Sequence, residues 1–339
     1  MTDGTSRAVT LSDVAEAAGV SISTASKALN DRNDVAASTK ARVRAIAEQL
    51  SFTPNVMARG LLAGRTGTVG LLTSDLEGRF MIPILMGAED AFGEGRVNVF
   101  LCDARGDAIR EQHHLRELLS RRVDGIIVVG RQTDPRRSLG QSLPVPVVYA
   151  YAPSDDPRDV SLTPDNVAGG RLAVEHLIAC GRTRIAHISG DPSFSAARDR
   201  LAGAQTALAD AGLEMVGEPM FSEWTEHWGR DAGAMLLRQH PEIDAIFCGS
   251  DQIARGVLDI ARDLDRIVPD DLAVIGYDNW ELLAENSRPG LTSIDANLQQ
   301  LGRRAAELVF AAIDGNERAA GEQPMPVRLV IRGSTIARR

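Results

Sequence analysis

The sequence has few cysteines, few aromatic residues and no long apolar run. Its three cysteines, Cys102, Cys180 and Cys248, lie far apart and without a C-x-x-C spacing, which predicts reduced core thiols rather than disulfides. No apolar stretch is as long as the about 18 residues that a membrane-spanning helix needs. The first residues also lack the basic segment followed by an apolar segment that is typical of an export signal. We therefore expect a soluble, cytoplasmic, nucleoid-associated protein without membrane contact.

Catalytic and cofactor-binding motifs are also missing. Neither of the two lysines, Lys27 and Lys40, follows a glycine, so the chain contains no Walker phosphate-binding loop. The patterns G-x-G-x-x-G, H-E-x-x-H and G-x-S-x-G do not occur, and the neighbouring His113 and His114 lack a third metal ligand. We expect no enzyme activity, no cofactor and no metal site.

Charge is distributed unevenly along a chain whose net charge is −9. Residues 1–66 carry 8 basic and 6 acidic side chains, whereas the remainder carries 29 and 40. Both lysines fall within the first 40 residues. This asymmetry is typical of a small anion-binding module joined to a larger acidic body.

Residues 10–30 show the pattern of a helix-turn-helix unit. Thr10 and Asp13 have capping-box spacing, and Gly19 ends the first helix before Ser21 caps the second. The first helix has one apolar face, formed by Leu11, Val14, Ala15 and Ala18. Because the turn is so short, the two helices must cross steeply.

The second predicted helix has one face of small apolar residues and one polar face. Ala25, Ala28 and Leu29 point to the inside, and the outward side carries Ser23, Ser26, Lys27 and Asn30 with Ile22 at its edge. Such short side chains allow a helix to enter a major groove. A third helix, capped by Ser38, completes a minimal head; a solvated amphipathic helix is the alternative interpretation.

From residue 68 onward, short apolar runs alternate with helical segments. The runs form two series of predicted strands, at 68–74, 97–103, 125–130 and 146–151, and at 184–190, 245–249, 273–277 and 327–333. Alternation of strands and helices predicts parallel sheets covered on both faces. The predicted fold class is therefore an all-α head followed by an α/β body of two doubly wound lobes.

Polar and aromatic side chains follow the strands of the body. Ligands of open α/β sheets bind beyond the carboxyl ends of the strands, and all three tryptophans, Trp224, Trp228 and Trp280, lie in such loops. Acids, amides and arginines among aromatic rings suit a polyhydroxylated ligand.

Two N-terminal segments, VTLSDVAEAAGVSISTASKALN and PNVMARGLLAGRTGTVG, resemble the lactose- and galactose-repressor family. SAARDRLAG, CGSDQIARG and VIGYDNWE extend the resemblance over nearly the whole chain. It implies a homodimer that reads a near-palindromic operator in double-stranded DNA and has a periplasmic-binding-protein-like body. The implied domains are a head at 8–54, a hinge helix and linker at 55–67, and a body at 68–339, with an N-lobe (about 68–163 and 293–325) and a C-lobe (about 164–292 and 326–339).

The resemblance also implies the DNA-binding residues. Base edges in the major groove would be contacted by Ile22, Ser23 and Lys27, and phosphates by Thr24, Ser26 and Asn30, with Thr10 and Ser21 completing the set. Leu61 matches the family's minor-groove wedge, flanked by Asn55, Ala58 and Arg59. Leu62 departs from the pattern, because many members carry a polar or basic residue there.

A small-molecule site is implied in the same way, with Arg200 and Asp278 as its principal ligand contacts. The full set is Phe80, Arg131, Tyr151, Phe194, Arg198, Arg200, Trp224, Ser250, Asp251, Asp278 and Trp280. Arg198 and Asp251 are equally consistent with paired scaffold residues, and Asp165 is expected to support the pocket or a lobe crossing. Tyr151 stands where several members have a ligand-binding aspartate, so no particular sugar is predicted.

We therefore expect a transcriptional repressor that a small sugar or polyol releases from its operator. Two alternatives remain: a corepressor-dependent regulator that senses a nucleobase or other metabolite, and a sugar-binding protein without a transcriptional role. The chain ends without the leucine heptad of four-chain members, which predicts a dimer, with an interface near the helix that starts at Pro83 and near residues 281–285.

Overall fold

The computed structural model describes residues 9–29, 32, 34–52, 66–92, 97–316 and 320–336. The chain divides into two compact units, the head (Met1–Thr66) and the body (Gly67–Arg339). Several predicted DNA contacts lie outside the described residues, namely Asn30, Asn55, Ala58, Arg59 and Leu61. No helix in the described ranges is both long and apolar enough to span a bilayer.

The head consists of three helices: α1 (Leu11–Ala17), α2 (Ile22–Leu29) and α3 (Ala37–Gln49). The predicted capping box is present at the start of α1. The Thr10 backbone N–H donates to Asp13 Oδ2 at 2.7 Å, and the Asp13 backbone N–H donates to Thr10 Oγ1 at 3.4 Å. Gly19 adopts a φ of +62° after α1, a conformation that favours glycine and turns the chain sharply into α2.

Small side chains form the core of the head. Its buried members are Val14, Ala15, Ala18, Ala25, Ala28, Val43 and Ala47, which confirms the predicted inward side of α2. The prediction that Ser38 caps α3 is wrong, because the helix begins at Ala37 and Ala36 stands at the N-cap without a side-chain hydrogen bond. Val35, directly before this N-cap, packs against the core.

The N-lobe of the body is built on a six-stranded parallel sheet with the strand order β11-β5-β4-β3-β1-β2. Its strands are β1 (Thr68–Thr73), β2 (Asn98–Asp103), β3 (Gly125–Val129), β4 (Val147–Ala150), β5 (Val160–Pro164) and β11 (Gly321–Met325). Its helices are α4 (Met81–Phe92), α5 (Ala108–Ser120) and α11 (Leu298–Ile313).

The C-lobe has a second six-stranded sheet, in the order β12-β10-β9-β8-β6-β7. Its strands are β6 (Ile185–Ser189), β7 (Met220–Phe221), β8 (Ala245–Cys248), β9 (Ala273–Tyr277), β10 (Thr292–Asp295) and β12 (Arg328–Val330). Its helices are α6 (Asn166–Ala179), α7 (Ser195–Asp210), α8 (Glu226–Gln239), α9 (Asp251–Asp263) and α10 (Glu281–Ala284). The pairing of β12 with β10 is antiparallel, and the other pairings in this sheet are parallel.

Each sheet is apolar on both faces, as expected for a doubly wound fold. In β1, for example, Leu71 belongs to the cluster beneath α4 and α11, whereas Leu72 belongs to the cluster beneath α5. In the C-lobe, one cluster lies beneath α8 and α9 and another beneath α6 and α7. This arrangement leaves the strand ends and the loops that follow them as the surface available for a ligand.

The chain passes between the lobes three times: after β5, after β10 and after β11. The second passage lies a few residues later than the expected position 292. The reason is that Thr292–Asp295 forms β10, which pairs with β9 of the C-lobe before the chain enters α11.

Three helix pairs approach closely through reciprocal glycines. Gly170 of α6 lies against the Arg200 carbonyl of α7, where an added Cβ would come within 2.0 Å of the oxygen; Gly203 of α7 lies in the same way against the Val167 carbonyl, at 1.9 Å. Gly87 and Gly302 join α4 to α11, and Gly229 and Gly256 join α8 to α9, in the same manner. The backbone of α7, and with it the position of Arg200, is therefore set by contact with α6.

We expect Gly170→Ala to destabilise the body, because the methyl group would force α6 and α7 apart. Overpacking of this kind costs about 1–3 kcal/mol, which corresponds to a drop of several degrees in the melting temperature. Thermal unfolding of the variant measures it. Gly290→Ala is the matched control, because its Cβ would meet no atom nearer than 3.6 Å; equal melting temperatures for the two variants would contradict the packing argument.

Candidate functional site

The outward side of α2 presents an apolar side chain, a hydroxyl and a cation. Ile22 is 53% exposed, and Ser23 and Lys27 are exposed beside it. Lys27 Nζ lies 2.6 Å from Asp34 Oδ2, and both side chains are about half exposed. Such surface ion pairs contribute little in water, so Lys27 is free to exchange Asp34 for another partner.

Other residues predicted to contact DNA hold the ends of the helices. Thr10 belongs to the capping box of α1, and Ser21 Oγ accepts a hydrogen bond from the Thr24 backbone N–H at 3.1 Å. The Thr24 hydroxyl lies 2.8 Å from Ser21 Oγ, and Thr24 and Ser26 are half-buried. Their contacts with DNA stay predictions.

A cavity of about 170 Å³ lies where the strand ends of the two lobes face each other. Seven of the predicted ligand residues line it: Phe80, Arg131 and Tyr151 from the N-lobe, and Phe194, Arg200, Trp224 and Asp278 from the C-lobe. A volume of this size has room for on the order of ten non-hydrogen atoms.

Aromatic rings form opposite walls of the cavity. In the N-lobe, Phe80 and Tyr151 stack with ring centroids 4.7 Å apart. In the C-lobe, Phe194 meets Trp224 edge to face at 6.0 Å. A flat apolar surface on each side suits a ring or a short carbon chain.

Two arginines share one carboxylate in the cavity. Arg79 Nη2 of the N-lobe is bonded to Asp278 Oδ2, and Arg200 Nη2 of the C-lobe lies 3.5 Å from Asp278 Oδ1. Arg79 Nη1 also donates to Gln252 Oε1 at 2.7 Å. Since Arg79 reaches from one lobe to the other, these contacts close one side of the cleft.

Arg200 is held rigidly within the C-lobe. Its residue surface is only 3% exposed, its Nε donates to Asn166 Oδ1 at 2.9 Å, and its Nη1 donates to the Gly249 carbonyl at 2.5 Å. The guanidinium group also stacks 3.6 Å from the centroid of the Tyr277 ring. A charge fixed in this way is pre-organised for a ligand.

Two residues at the cavity have left-handed backbone conformations. Tyr151, which follows β4, has a φ of +74°, and Asp278, which follows β9, has a φ of +97°. Bulky residues rarely adopt this region, and it is enriched at binding sites. In both cases the turn brings the side chain to the cavity wall at a strand end.

Asp251 supports the loop that carries Asp278. The Trp280 backbone N–H donates to Asp251 Oδ2 at 2.6 Å, and Ser293 Oγ lies 2.6 Å from Asp251 Oδ1. Burial raises the pKa of the Asp251 carboxyl to about 8, and the nearby charge of Asp278 adds to the rise. The carboxyl is therefore protonated near neutral pH.

This proton makes stability depend on pH. The folded-state pKa of Asp251 lies above the unfolded value of about 4. Its contribution to the free energy of unfolding is therefore complete below about pH 4 and is lost as pH rises to about 8. Asp251→Asn mimics the neutral acid and does not titrate. The free energy of unfolding of the variant should therefore rise relative to that of the wild type by up to about 1.4 kcal/mol per pH unit in that window. Urea unfolding at several pH values in this window measures the difference. Plots of unfolding free energy against pH that stay parallel for the two proteins would refute the prediction. Asp259→Asn, at an ion pair on α9, is the control.

Two family models match the chain. The model described as "Bacterial regulatory proteins, lacI family" matches residues 10–55, and the one described as "Periplasmic binding protein-like domain" matches residues 174–335. The Ribose operon repressor of Escherichia coli strain K12 is 35% identical over 308 residues, which cover 90% of this chain and 93% of that protein. The chain belongs to the lacI family.

Solved structures agree with this lacI-family assignment. The lac repressor dimer bound to operator and the anti-inducer ONPF has a TM-score of 0.76 and 28% identity, covering 98% of this chain and 100% of that chain. A complex of the transcriptional regulator CelR with cellobiose has a TM-score of 0.63 and 29% identity, covering 96% and 99%. Together they confirm the predicted fold class of a helix-turn-helix head and two parallel-sheet lobes.

Four residues predicted to bind the ligand do not line the cavity of this lacI-family chain. Ser250 is fully buried and caps α9, its Oγ accepting from the Ile253 backbone N–H at 3.3 Å. Arg198 points out of the cavity to the Pro192 and Ser193 carbonyls. Asp251 is the loop support described above, and Trp280 lies under the Arg79 guanidinium, 5.2 Å from its ring centroid.

The sequence patterns missed Arg79, Gln132 and Thr133, which also line the cavity. Arg79 directly precedes Phe80, and Gln132 and Thr133 directly follow Arg131, so extending each loop by two residues would have found them. Asp165 lies where the chain passes from β5 of the N-lobe into α6 of the C-lobe. Its side chain accepts a hydrogen bond from the Ala168 backbone N–H and caps α6. This position agrees with the expected supporting role.

A second cavity, of about 290 Å³, adjoins the first within the N-lobe. It shares Arg131 and Gln132 with the first cavity, and Glu111 and Arg136 form a 2.6 Å ion pair in its wall. In the part of the chain that the structure describes, no group of three or more His, Cys, Asp or Glu side chains could hold a metal ion.

Proposed function

We propose that this lacI-family protein is a transcriptional repressor that binds an operator as a dimer and is controlled by a small polyhydroxylated effector. One observation carries the proposal: the lacI-family match over residues 10–55 coincides with a folded three-helix head. The protein acts as a regulator rather than an enzyme, and in the cytoplasm.

The head reads DNA through the exposed side of α2. Ile22 contacts thymine methyl groups or other apolar base edges, and Ser23 and Lys27 supply hydrogen bonds in the major groove. In a twofold-symmetric dimer the two α2 helices meet half-sites about one helical turn apart. Asn55, Ala58, Arg59 and Leu61 contact the minor groove between the half-sites.

The effector occupies the cavity between the lobes. Its hydroxyl groups exchange hydrogen bonds with Asp278 and Arg200, and its carbon skeleton packs on the rings of Phe80 and Trp224. The lobes already touch across the cleft, where Thr133 Oγ1 lies 3.0 Å from Ser195 Oγ. A ligand that binds both lobes favours one degree of closure, and a coupling of about 1–3 kcal/mol to DNA binding is typical of such control.

Exposed apolar side chains on the body support a dimer. Ile82 and Met86 of α4 are about half exposed, and Leu282 of α10 is 63% exposed. These residues lie in the two segments predicted for the interface. Large apolar side chains that cluster at a surface favour burial against a second copy.

The experiment is a selection of duplex DNA from genomic fragments by the purified full chain, followed by titration with sugars and polyols. We expect one near-palindromic sequence to be enriched and a bound ligand to release it without being converted. Failure to enrich any duplex sequence would reject the regulator and favour a sugar-binding protein. A ligand that tightens DNA binding would instead identify a corepressor-dependent regulator built from the same parts.

A further inference from the structure

The effector cavity carries an excess of positive charge. Its charged lining residues are Arg79, Arg131, Arg200 and Asp278, three cations and one anion. Asp251, beside Asp278, adds no negative charge near neutral pH, because burial raises its pKa to about 8. Arg131 is solvent-exposed, so water screens its charge. The buried Arg200 and the partly buried Arg79 face a single carboxylate, which favours a ligand that supplies counter-charge.

Both oxygens of the single carboxylate of the cavity already face arginines. Asp278 is bonded to Arg79 through one oxygen and lies 3.5 Å from Arg200 through the other. This group of three retains one positive charge. Arg200 is further fixed by Asn166 and Gly249, so these two arginines keep their positions around Asp278 and a ligand must approach them there.

Arg131 is the arginine that remains available. It lies in the wall between the two adjoining cavities, and within the described residues its side chain makes no hydrogen bond or ion pair. Its place is set by Gly130, where an added Cβ would come within 2.1 Å of Ala152 Cβ. Of the acids in the adjoining cavity, Glu111 pairs with Arg136 and Asp107 caps α5. Asp134 accepts from the Ser195 backbone N–H through Oδ1, while its Oδ2 has no hydrogen-bond partner among the described residues.

We propose that the effector is an anionic polyol, a sugar acid or a sugar phosphate, whose oxyanion binds Arg131 while its hydroxyl groups meet Asp278 and Arg200. The planar guanidinium group matches carboxylate and phosphate oxygens in bidentate geometry. The cavity of about 170 Å³ accommodates a single sugar unit. Three acids, Asp107, Glu111 and Asp134, line the adjoining cavity, so the oxyanion stays at the shared wall beside Arg131. The inference rests on the proposed regulatory function and names its ligand class.

Calorimetric titration of the full chain with matched ligands tests the inference. Each series holds a neutral sugar, its carboxylate form and its phosphate form, in the glucose, galactose and ribose configurations. We expect one anionic form to bind at least about tenfold more tightly than its neutral parent, with an advantage that shrinks as salt is added. Whether the carboxylate or the phosphate shows the advantage identifies the oxyanion.

The variant Arg131→Gln should remove that advantage, so that the anionic ligand and its neutral parent bind to it with similar affinity. Arg137→Gln, at an exposed arginine that lines neither cavity, should retain it. The inference is overturned if the neutral sugar binds as tightly as its acid and phosphate, if Arg131→Gln keeps the preference, or if no anionic form binds. A neutral sugar that releases the operator would reject this inference alone, whereas absence of any specific DNA binding would reject the regulatory function.

Discussion

Replacing Arg200 by methionine should weaken effector binding by about 100-fold or more and abolish the effect of the effector on DNA binding. Methionine fills most of the arginine volume and can pack over Tyr277, but it removes the charge and the hydrogen bonds to Asn166 and Gly249. Loss of one partner of a buried, hydrogen-bonded charge pair costs about 2–5 kcal/mol. Calorimetry measures effector affinity, and fluorescence anisotropy with labelled operator measures DNA binding with and without effector.

Arg198→Met provides the matched control for this variant. Arg198 lies on the same helix, two residues earlier, but its guanidinium group is directed at the Pro192 and Ser193 carbonyls outside the cavity. We expect its effector affinity to stay within about threefold of the wild type. This difference is smaller than a tenfold change, which corresponds to about 1.4 kcal/mol. A normal response in Arg200→Met, or an equal loss in both variants, would show that the cavity is not the effector site.

The second large effect is expected in the head, where Ala25→Leu should abolish operator binding. Ala25 is completely buried between the helices, and added methyl groups in a packed core cost about 1–3 kcal/mol. A three-helix head has a small core and little stability to lose. Operator affinity should fall by about 100-fold or more, because each DNA-bound dimer requires two folded heads.

The same variant should retain effector binding, because head and body are separate compact units. Ala45→Leu makes the identical substitution at an exposed position of α3 and should bind the operator normally. If Ala25→Leu bound DNA with wild-type affinity, the inward face assigned to α2 would be wrong. If it lost effector binding as well, the two units would not fold independently.

Much of the architecture follows from local patterns in the sequence. The spacing of Thr10, Asp13 and Gly19 determines the start and end of α1, since caps and turns depend on neighbouring residues alone. Alternation of apolar runs with helical segments likewise predicted both sheets of the body. Four strands were missed: β5, β7, β10 and β11, with the sequences VSLTP, MF, TSID and GEQPM. They are short or polar, so their sequences lack an apolar run, and they form by pairing with a neighbouring strand.

The candidate effector site was predicted in outline for a similar reason. Ligand residues follow strand ends in this fold, and seven of the predicted residues meet at one cavity. Ser250 and Arg198 are polar residues in segments that follow strands, as expected of ligand residues. However, Ser250 caps a helix, and the Arg198 side chain points away from the cavity. The direction of a side chain depends on helix phase and on neighbouring carbonyl groups, which a loop sequence does not encode locally.

The sequence alone determined the helix-turn-helix head, the two α/β lobes and the loops in which a ligand site could lie, because periodicity, capping and turn chemistry act over a few residues. Tertiary structure decided which of those side chains meet. Arg79 and Asp278 are 199 positions apart in the chain, and only the folding of both lobes and the three passages between them bring these charges into one cavity.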